Sequence, residues 1–502
     1  MQDYVRGKAG GELPHGGKKS FCATFLAGCA SEWRKYMSKL IGNKAFYKMV
    51  LLVAVPIMLQ NCITNFVGLL DNIMVGRMGT EQLSGVAIAN QLLFVFNLAI
   101  FGAISGAGIF TAQFHGASDH EGVRATMRYK LIITFLILAL ACALLLSKGD
   151  VLISLYLNEA EGGNVALTLS EGRKYLNIML LGLPAFVLSQ CYASTLRETG
   201  ETVLPMKAGV VAVFVNLALN YILIFGNFGA PRMGVQGAAL ATVISRYVET
   251  GMIMIVSHRH KDQYHFVDRL YRSLRIPMRL VKEITIKGTP LMINELLWAL
   301  GSTTIMQSYS LRGLNAVAAL NINSTIFNLF STIYFAMGSC IAIIVGQLLG
   351  AGKTDEARDT DTKLIFFSIC LSAAVGVITI CFAPLITGVY NTSDTVKDLA
   401  TQLIRVSGLC MPLYSFVHTC YFTMRSGGKT VVTFLFDCVF MWVFCIPVAF
   451  LLARLTGLPV VQLYLIVQLM DLIKAVIGFI LVKKGVWINN IVGDPAKVEV
   501  GK

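Results

Sequence analysis

Apolar runs of about 20 residues, each long enough to cross a hydrocarbon core roughly 30 Å thick, recur along nearly the whole chain. Their spacing predicts helices at roughly 46–71, 83–112, 129–147, 173–194, 205–226, 234–256, 284–309, 316–347, 362–386, 402–424, 431–453 and 459–482. Nothing of soluble-domain length is left over. The expected fold class is therefore an all-α polytopic membrane protein of twelve transmembrane helices.

The pattern also repeats. At an offset of 234 residues Pro56 aligns with Pro290, Gly79 with Gly313 and Phe101 with Phe335, and Gln113, Gly116, Ala117 and Arg124 align with Gln347, Gly350, Ala351 and Arg358. Farther on the offset is 228, which pairs Pro184 with Pro412, Thr195 with Thr423, Arg197 with Arg425, Gly200 with Gly428 and Thr202 with Thr430. The six-residue difference falls between Arg358 and Pro412, where the loop before the fourth helix of each half tolerates a deletion most readily. Six helices per copy is an even number, so both copies enter from the same side. They are parallel repeats related by an axis along the membrane normal. Two six-helix lobes around a central cavity follow, an architecture suited to alternating access.

Composition agrees with lipid as the solvent. The 502 residues are 55% hydrophobic and 14% charged, where a soluble globule has roughly 25% charged residues. The net charge of +14 could suggest nucleic acid, but the basic residues lie in short loops between apolar helices, which is the positive-inside pattern. With the N-terminus inside, one side collects Arg124, Arg128, Arg197, Lys207, the run from Arg259 to Lys287, Lys353, Arg358, Arg425, Lys429, Lys483 and Lys484. The other side carries Arg77, Arg232, Arg312, Arg454 and the mixed stretch from Lys148 to Lys174. Both termini are expected in the cytoplasm, and the chain in the inner (plasma) membrane. The expected organisation is an N-terminal extension over 1–45, an N-lobe over 46–258, a basic linker over 259–283, a C-lobe over 284–484 and a tail over 485–502.

The extension is glycine-rich and basic, and its one apolar run, Phe21 to Ala30, is too short to span. It reads as disordered, and Met37 could serve as an alternative start. The 12 cysteines lie singly, without metal-like spacing, and read as small apolar residues.

A carboxylate within the membrane costs at least about 2.5 kcal/mol on insertion scales, so each calls for a partner or a function. Asp71, Glu295, Asp437 and Asp471 stand out. Asp71 closes the first helix, and helical spacing back through Thr64 to Gln60, with Asn61 and Asn65 beside them, gives that helix a polar face. It is either a cation or proton site or a residue in water at the outer interface. Asn216 and Asn220 lie one turn apart on the fifth helix and Thr242 on the sixth. Such neutral oxygens suit a hard cation, and equally suit interhelical hydrogen bonding. Glu295 follows Pro290 and Asn294 in an apolar setting, as a proton carrier, a cation contact or an idle bonded group. Asp471 has Lys474 three residues on, and Arg246 has Glu249, both read as local ion pairs. Asp437 shows no local partner. Tyr414 and His418 on the tenth helix either line a cavity or pack between helices.

Gly352-Lys353-Thr354 and Gly428-Lys429-Thr430 invite a phosphate-loop reading, but Gln347 and Thr423 stand where that motif needs its first glycine. No H-E-x-x-H or G-x-S-x-G motif occurs, and the chain is not expected to be an enzyme.

The stretch V-G-L-L-D-N-I-M-V-G-R-M-G at 67–79 resembles the first-helix signature of the multidrug and toxic compound extrusion (MATE) family. L-R-E-T-G-E-T at 196–202, N-L-A-L-N-Y-I-L-I-F-G at 216–226, G-V-Q-G-A-A-L-A-T at 234–242 and V-G-Q-L-L-G-A-G at 345–352 extend the resemblance over Phe46 to Lys484. It implies a secondary antiporter exporting organic cations or amphipathic compounds in exchange for Na⁺ or H⁺, with no other cofactor. Asp71, Asn216, Asn220 and Thr242 match the family's N-lobe cation site and would hold Na⁺ if that is the coupling ion. Glu295 matches a seventh-helix carboxylate of one branch, whose second carboxylate in the tenth helix is replaced here by Tyr414. Glu295, Gln60, Asn61, Tyr414 and His418 are thus the expected substrate-cavity residues. The partners expected are small-molecule substrates and membrane lipids, with no nucleic acid, and the transporter is expected to be a monomer.

Three other readings compete, of which a structural or sensory membrane protein would leave the intramembrane carboxylates without a purpose. A lipid-linked oligosaccharide flippase would line its cavity with cations for pyrophosphate, whereas these helices are poor in Arg and Lys. An integral membrane enzyme acting on lipids would need paired catalytic groups near one interface or a metal motif, and neither appears.

Overall fold

The structure, a computed structural model, describes residues 40–157 and 164–493. The expectations for residues 1–36, for the tip of the loop before the fourth helix and for the last residues of the tail fall outside this range. Twelve long helices are present among the described residues: α1 Lys44–Gly76, α2 Thr80–Gly116, α3 His120–Ser154, α4 Val165–Glu198, α5 Val203–Phe225, α6 Val235–Arg259, α7 Met278–Ser310, α8 Leu314–Gly350, α9 Thr354–Gly388, α10 Asp394–Ser426, α11 Thr430–Leu455 and α12 Val460–Lys483. Ten of them are long and apolar enough to cross a membrane by composition alone; α7 and α10 are more polar. Large apolar side chains such as Leu140, Phe214, Val377 and Leu409 stand exposed on the outside of the bundle, as a lipid-facing surface requires.

The duplication is visible in the packing. In the first lobe α1 packs on α5, α2 on α3 and α4, α3 on α4, and α6 on α4 and α5. In the second, α7 packs on α11, α8 on α9 and α10, α9 on α10, and α12 on α10 and α11. Between lobes, α1 packs on α8, α7 on α2, and α2 crosses α8. Exchanging the two lobes leaves that pattern unchanged, so a pseudo-two-fold axis runs between α2 and α8.

Helices extend beyond their apolar cores. The third begins at His120 rather than near 129, so Arg124 and Arg128 lie on its first turns and not in a loop. Asp119 caps it by accepting a hydrogen bond from the Gly122 amide at 2.8 Å. α11 contains two π-helical turns, Leu435–Val439 and Met441–Cys445, the first of which carries Asp437.

The end of the bundle that carries the α2–α3, α4–α5, α8–α9 and α10–α11 connections is rich in Lys and Arg and is called the basic end below. There the lobes meet closely. A Cβ on Gly106 would strike the Gly288 backbone, one on Gly116 the Gln347 carbonyl, and one on Gly350 the Gln113 carbonyl. Two repeat-related glutamines seal this contact. Gln113 Nε2 donates to the Ser426 carbonyl at the end of α10 (2.9 Å), and Gln347 Nε2 donates to the Glu198 carbonyl at the end of α4 (2.8 Å).

The chain after α12 reinforces the seal. Trp487 is buried against the second lobe, while Ile491 and Val492 pack against the first. Gln113 Nε2 also donates to the Asn489 carbonyl (3.1 Å), and its Oε1 accepts from the Ile491 amide (2.8 Å). The linker between lobes is pinned at the same end by Arg128, which donates to the carbonyls of Leu270, Arg269 and Arg275. Among the described residues, the hydrogen bonds crossing between lobes run no farther from the basic end than Cys62 to Thr332 (3.9 Å). Beyond that level Thr64 and Asn65 of α1 and Asn328 of α8 stand exposed.

Candidate functional site

Two places combine polar groups with enclosure. The first lies inside the N-lobe, where α1, α5 and α6 meet. The one-turn spacing of Asn216 and Asn220 turns both amides to the same buried side of α5. Asn220 Nδ2 donates to Asp71 Oδ1 at 2.6 Å and to Asn216 Oδ1 at 3.1 Å, and Asn216 Nδ2 donates to Thr242 Oγ1 at 3.2 Å. All four residues expected for a cation site thus form one chain of contacts. Asp71 is half-buried rather than lying free at the outer interface.

Asn220 Oδ1 is buried and has no hydrogen-bond partner, an acceptor with a vacant lone pair beside a carboxylate. A donor set of one carboxylate and three neutral oxygens balances a single positive charge, which fits a sodium ion or a proton better than a divalent metal. Arg246 stands within electrostatic reach of Asp71, paired with Glu249 at 3.3 Å as the i, i+3 spacing foretells.

The second place is a cavity of about 540 Å³ between the lobes, on the open side of the glutamine seal. α1 contributes Asn61, Thr64 and Asn65; α8 contributes Asn328, Thr332 and Phe335; Phe101 and Phe422 add aromatic walls. Its charged lining is Arg197, Glu198 and Arg425, near the ends of α4 and α10. Glu198 is occupied by Lys130, which is fully buried and also donates to Ser194 and Thr195.

Of the expected cavity residues, Asn61 lines this space, and the others lie elsewhere. Gln60 sits against Gly209 of α5. Tyr414 packs edge-on to Phe327, and His418 sits among Tyr334, Phe335, Tyr421 and Phe422, the packed alternative for both. Glu295 faces the interior of the second lobe, where Arg425 and Asp437 are its charged neighbours.

The expected pair of Lys474 with Asp471 is present, and a second, closer partner joins it. Lys474 is 2.9 Å from Asp437 and 3.9 Å from Asp471, so the carboxylate without a local partner is the closer one, reached across the α11–α12 contact. Asn294 Nδ2 donates to the other Asp437 oxygen at 3.1 Å, and the Phe436 and Phe440 rings lie within 6 Å of the ammonium. The sequence reading also overlooked Lys130, Arg197 and Arg425 as interior groups. The signal available was helical continuity past the hydropathic limits, since Arg197 and Arg425 are next-to-last in their helices and Lys130 lies ten residues after His120.

Comparison with known proteins reaches the same region of fold space. The MatE family model matches residues 56–222 and 290–451, one match in each half. A probable multidrug resistance protein NorM of Thermotoga maritima is 25% identical over 408 residues, covering 81% of this chain and 86% of its own. The multidrug resistance protein PmpM of Pseudomonas aeruginosa is 26% identical over 428 residues, covering 82% and 85%. Among solved structures, a mutant of the Vibrio cholerae MATE transporter VcmN superposes with a TM-score of 0.80 at 18% identity, covering 89% of this chain and 98% of that one.

Proposed function

Since the chain belongs to the MatE family of membrane transporters, we propose that it is a secondary active antiporter, exporting amphipathic organic compounds in exchange for Na⁺ or H⁺ by alternating access. The observation that carries this reading is that one helix serves two sites. α1 presents Asn61, Thr64 and Asn65 to the central cavity and, two turns beyond Thr64, Asp71 to the N-lobe oxygens. A single continuous helix thus links an event at Asp71 to an event in the cavity.

The residues fit the ion. A cation at Asp71 takes over the charge that the Asn220 amide now meets, and Asn220, Asn216 and Thr242 offer oxygens to a sodium ion in its place. A proton would do the same by neutralising the carboxylate. Of the two substrate classes expected from the sequence, organic cations and amphipathic compounds, the cavity lining favours the second, because its one carboxylate is already held by Lys130. With the basic end in the cytoplasm of a plasma membrane, the positive-inside orientation, the conformation described here opens outward.

The test is efflux of fluorescent amphipathic compounds from proteoliposomes under an imposed Na⁺ or pH gradient, with parent and Asp71→Asn compared. The parent is expected to respond to one gradient. The variant is expected to fold, by unchanged elution and melting behaviour, yet to lose gradient-driven transport. Normal coupled transport by Asp71→Asn refutes the assignment.

A further inference from the structure

We propose that the base of the central cavity is an anion site, and hence that the compounds this transporter carries bear a carboxylate or comparable acidic group beside an apolar body. The inference deepens the transport reading above and rests on it for its biological meaning.

Arg197 and Arg425 are repeat mates, each the next-to-last residue of its helix, one from each lobe, and both line the same cavity. Arg425 is 7% exposed, and its Nη1 is buried with no hydrogen-bond partner. Its guanidinium lies 5.0 Å from the centre of the Phe422 ring. Among the described residues neither arginine makes an ion pair. Glu198 is held by Lys130, and Glu295, though it shares the field of Arg425, does not come close enough to pair with it.

The other buried cations meet a carboxylate or several carbonyls, Lys130 at Glu198, Lys474 at Asp437 and Arg128 at three carbonyls, whereas Arg425 meets the Tyr421 hydroxyl and the Phe422 ring but no carboxylate. Burying a charge without a partner is costly, and more so at membrane depth. A helix C-terminus favours a nearby cation and explains one arginine at each helix end. It does not explain why two forks from opposite lobes line one cavity, with a buried donor of Arg425 left unpartnered. A guanidinium is the group that meets carboxylate or phosphate oxygens bidentately. The aromatic walls of Phe101, Phe335 and Phe422 accept the apolar remainder, and Asn61 and Asn328 its neutral polar groups.

The experiment measures binding to the purified full chain in phosphatidylcholine nanodiscs with three probes of one dye: dansylglycine, its methyl ester and dansylcadaverine. Dansylglycine is expected to bind at least tenfold tighter than the ester, and dansylcadaverine no tighter than the ester. Arg425→Gln and Arg197→Gln are expected to abolish the preference for carboxylate over ester while leaving ester binding in place, and Arg425→Lys to keep part of it.

Equal affinity for acid and ester in the parent protein, a result that needs no variant to fold, overturns the proposal, as does tightest binding of the ammonium probe. Geranyl diphosphate in competition identifies the source of the anion. Displacement at lower concentration than unlabelled N-acyl glycine points to an isoprenoid phosphate, weaker displacement to soluble carboxylates, and both support an anion site. The transport reading fails separately: acid-selective binding with no gradient-driven efflux sinks antiport and keeps the site, while driven efflux of dansylcadaverine without acid selectivity does the reverse.

Discussion

Replacing Gln113 with Ala tests the seal at the basic end, and its repeat mate supplies an internal control. The Gln113 side chain makes three cross-lobe or tail hydrogen bonds, at 2.9, 3.1 and 2.8 Å, where Gln347 makes one, at 2.8 Å. At about 1 kcal/mol net per bond, Gln113→Ala weakens the closed basic end by about 3 kcal/mol and Gln347→Ala by about 1 kcal/mol. With about 1.4 kcal/mol per tenfold, the closed-to-open ratio falls roughly 150-fold in the first case and about fivefold in the second. Spin labels attached through a ketone-bearing amino acid at the exposed positions Lys261 and Asp355 leave the native cysteines untouched. Double electron–electron resonance in nanodiscs then reads the distance between lobes. Gln113→Ala is expected to show a substantial longer-distance population, and Gln347→Ala a minor one. Equal distributions for parent and Gln113→Ala, or a larger shift for Gln347→Ala, refute the reasoning.

Further outcomes follow from the two sites and the buried pair. Asn220→Leu removes the donor that meets Asp71 at 2.6 Å, and is expected to raise the half-saturating concentration of the coupling ion severalfold while changing substrate affinity little; an unmoved ion dependence reduces these amides to interhelical glue. Lys474→Met leaves Asp437 buried without its cation and is expected to cost about 3–5 kcal/mol, read as a lowered melting temperature in detergent. Lys474→Met combined with Asp437→Leu is expected to recover most of that loss, and no recovery would show that the pair is not what the single change breaks. Glu295→Gln, away from the cavity lining, is expected to leave the relative affinities for matched cationic and neutral ligands unchanged, which a selective loss of cation binding would contradict.

The repeat was legible because its markers are residues with few alternatives. Prolines and glycines in register fix helix geometry, so the offset of 234 carries Thr80–Gly116 onto Leu314–Gly350, although hydropathy places both helices a few residues short. The N-lobe cluster was legible in part: one-turn spacing puts Asn216 and Asn220 on one face, while bringing Asp71 and Thr242 to them took the family resemblance. What escaped is what depends on packing between distant segments. Spacing can offer Lys474 only Asp471, since a partner 37 residues away is invisible to it. Hydropathy marks where a helix leaves lipid, not where it ends, so Arg197 and Arg425 read as loop residues when they are on the last turns of α4 and α10.

The partners of Gln113 also set an order of events during synthesis. The Asn489 carbonyl and Ile491 amide that satisfy it are encoded 376 and 378 residues later. At about 5–20 residues per second, Gln113 waits roughly twenty seconds to over a minute before those groups exist. Until then the seal consists of the Ser426 and Glu198 carbonyl contacts without the reinforcement of the tail. A nascent chain stalled before residue 489 should therefore carry a basic end that is closed more weakly than in the finished protein.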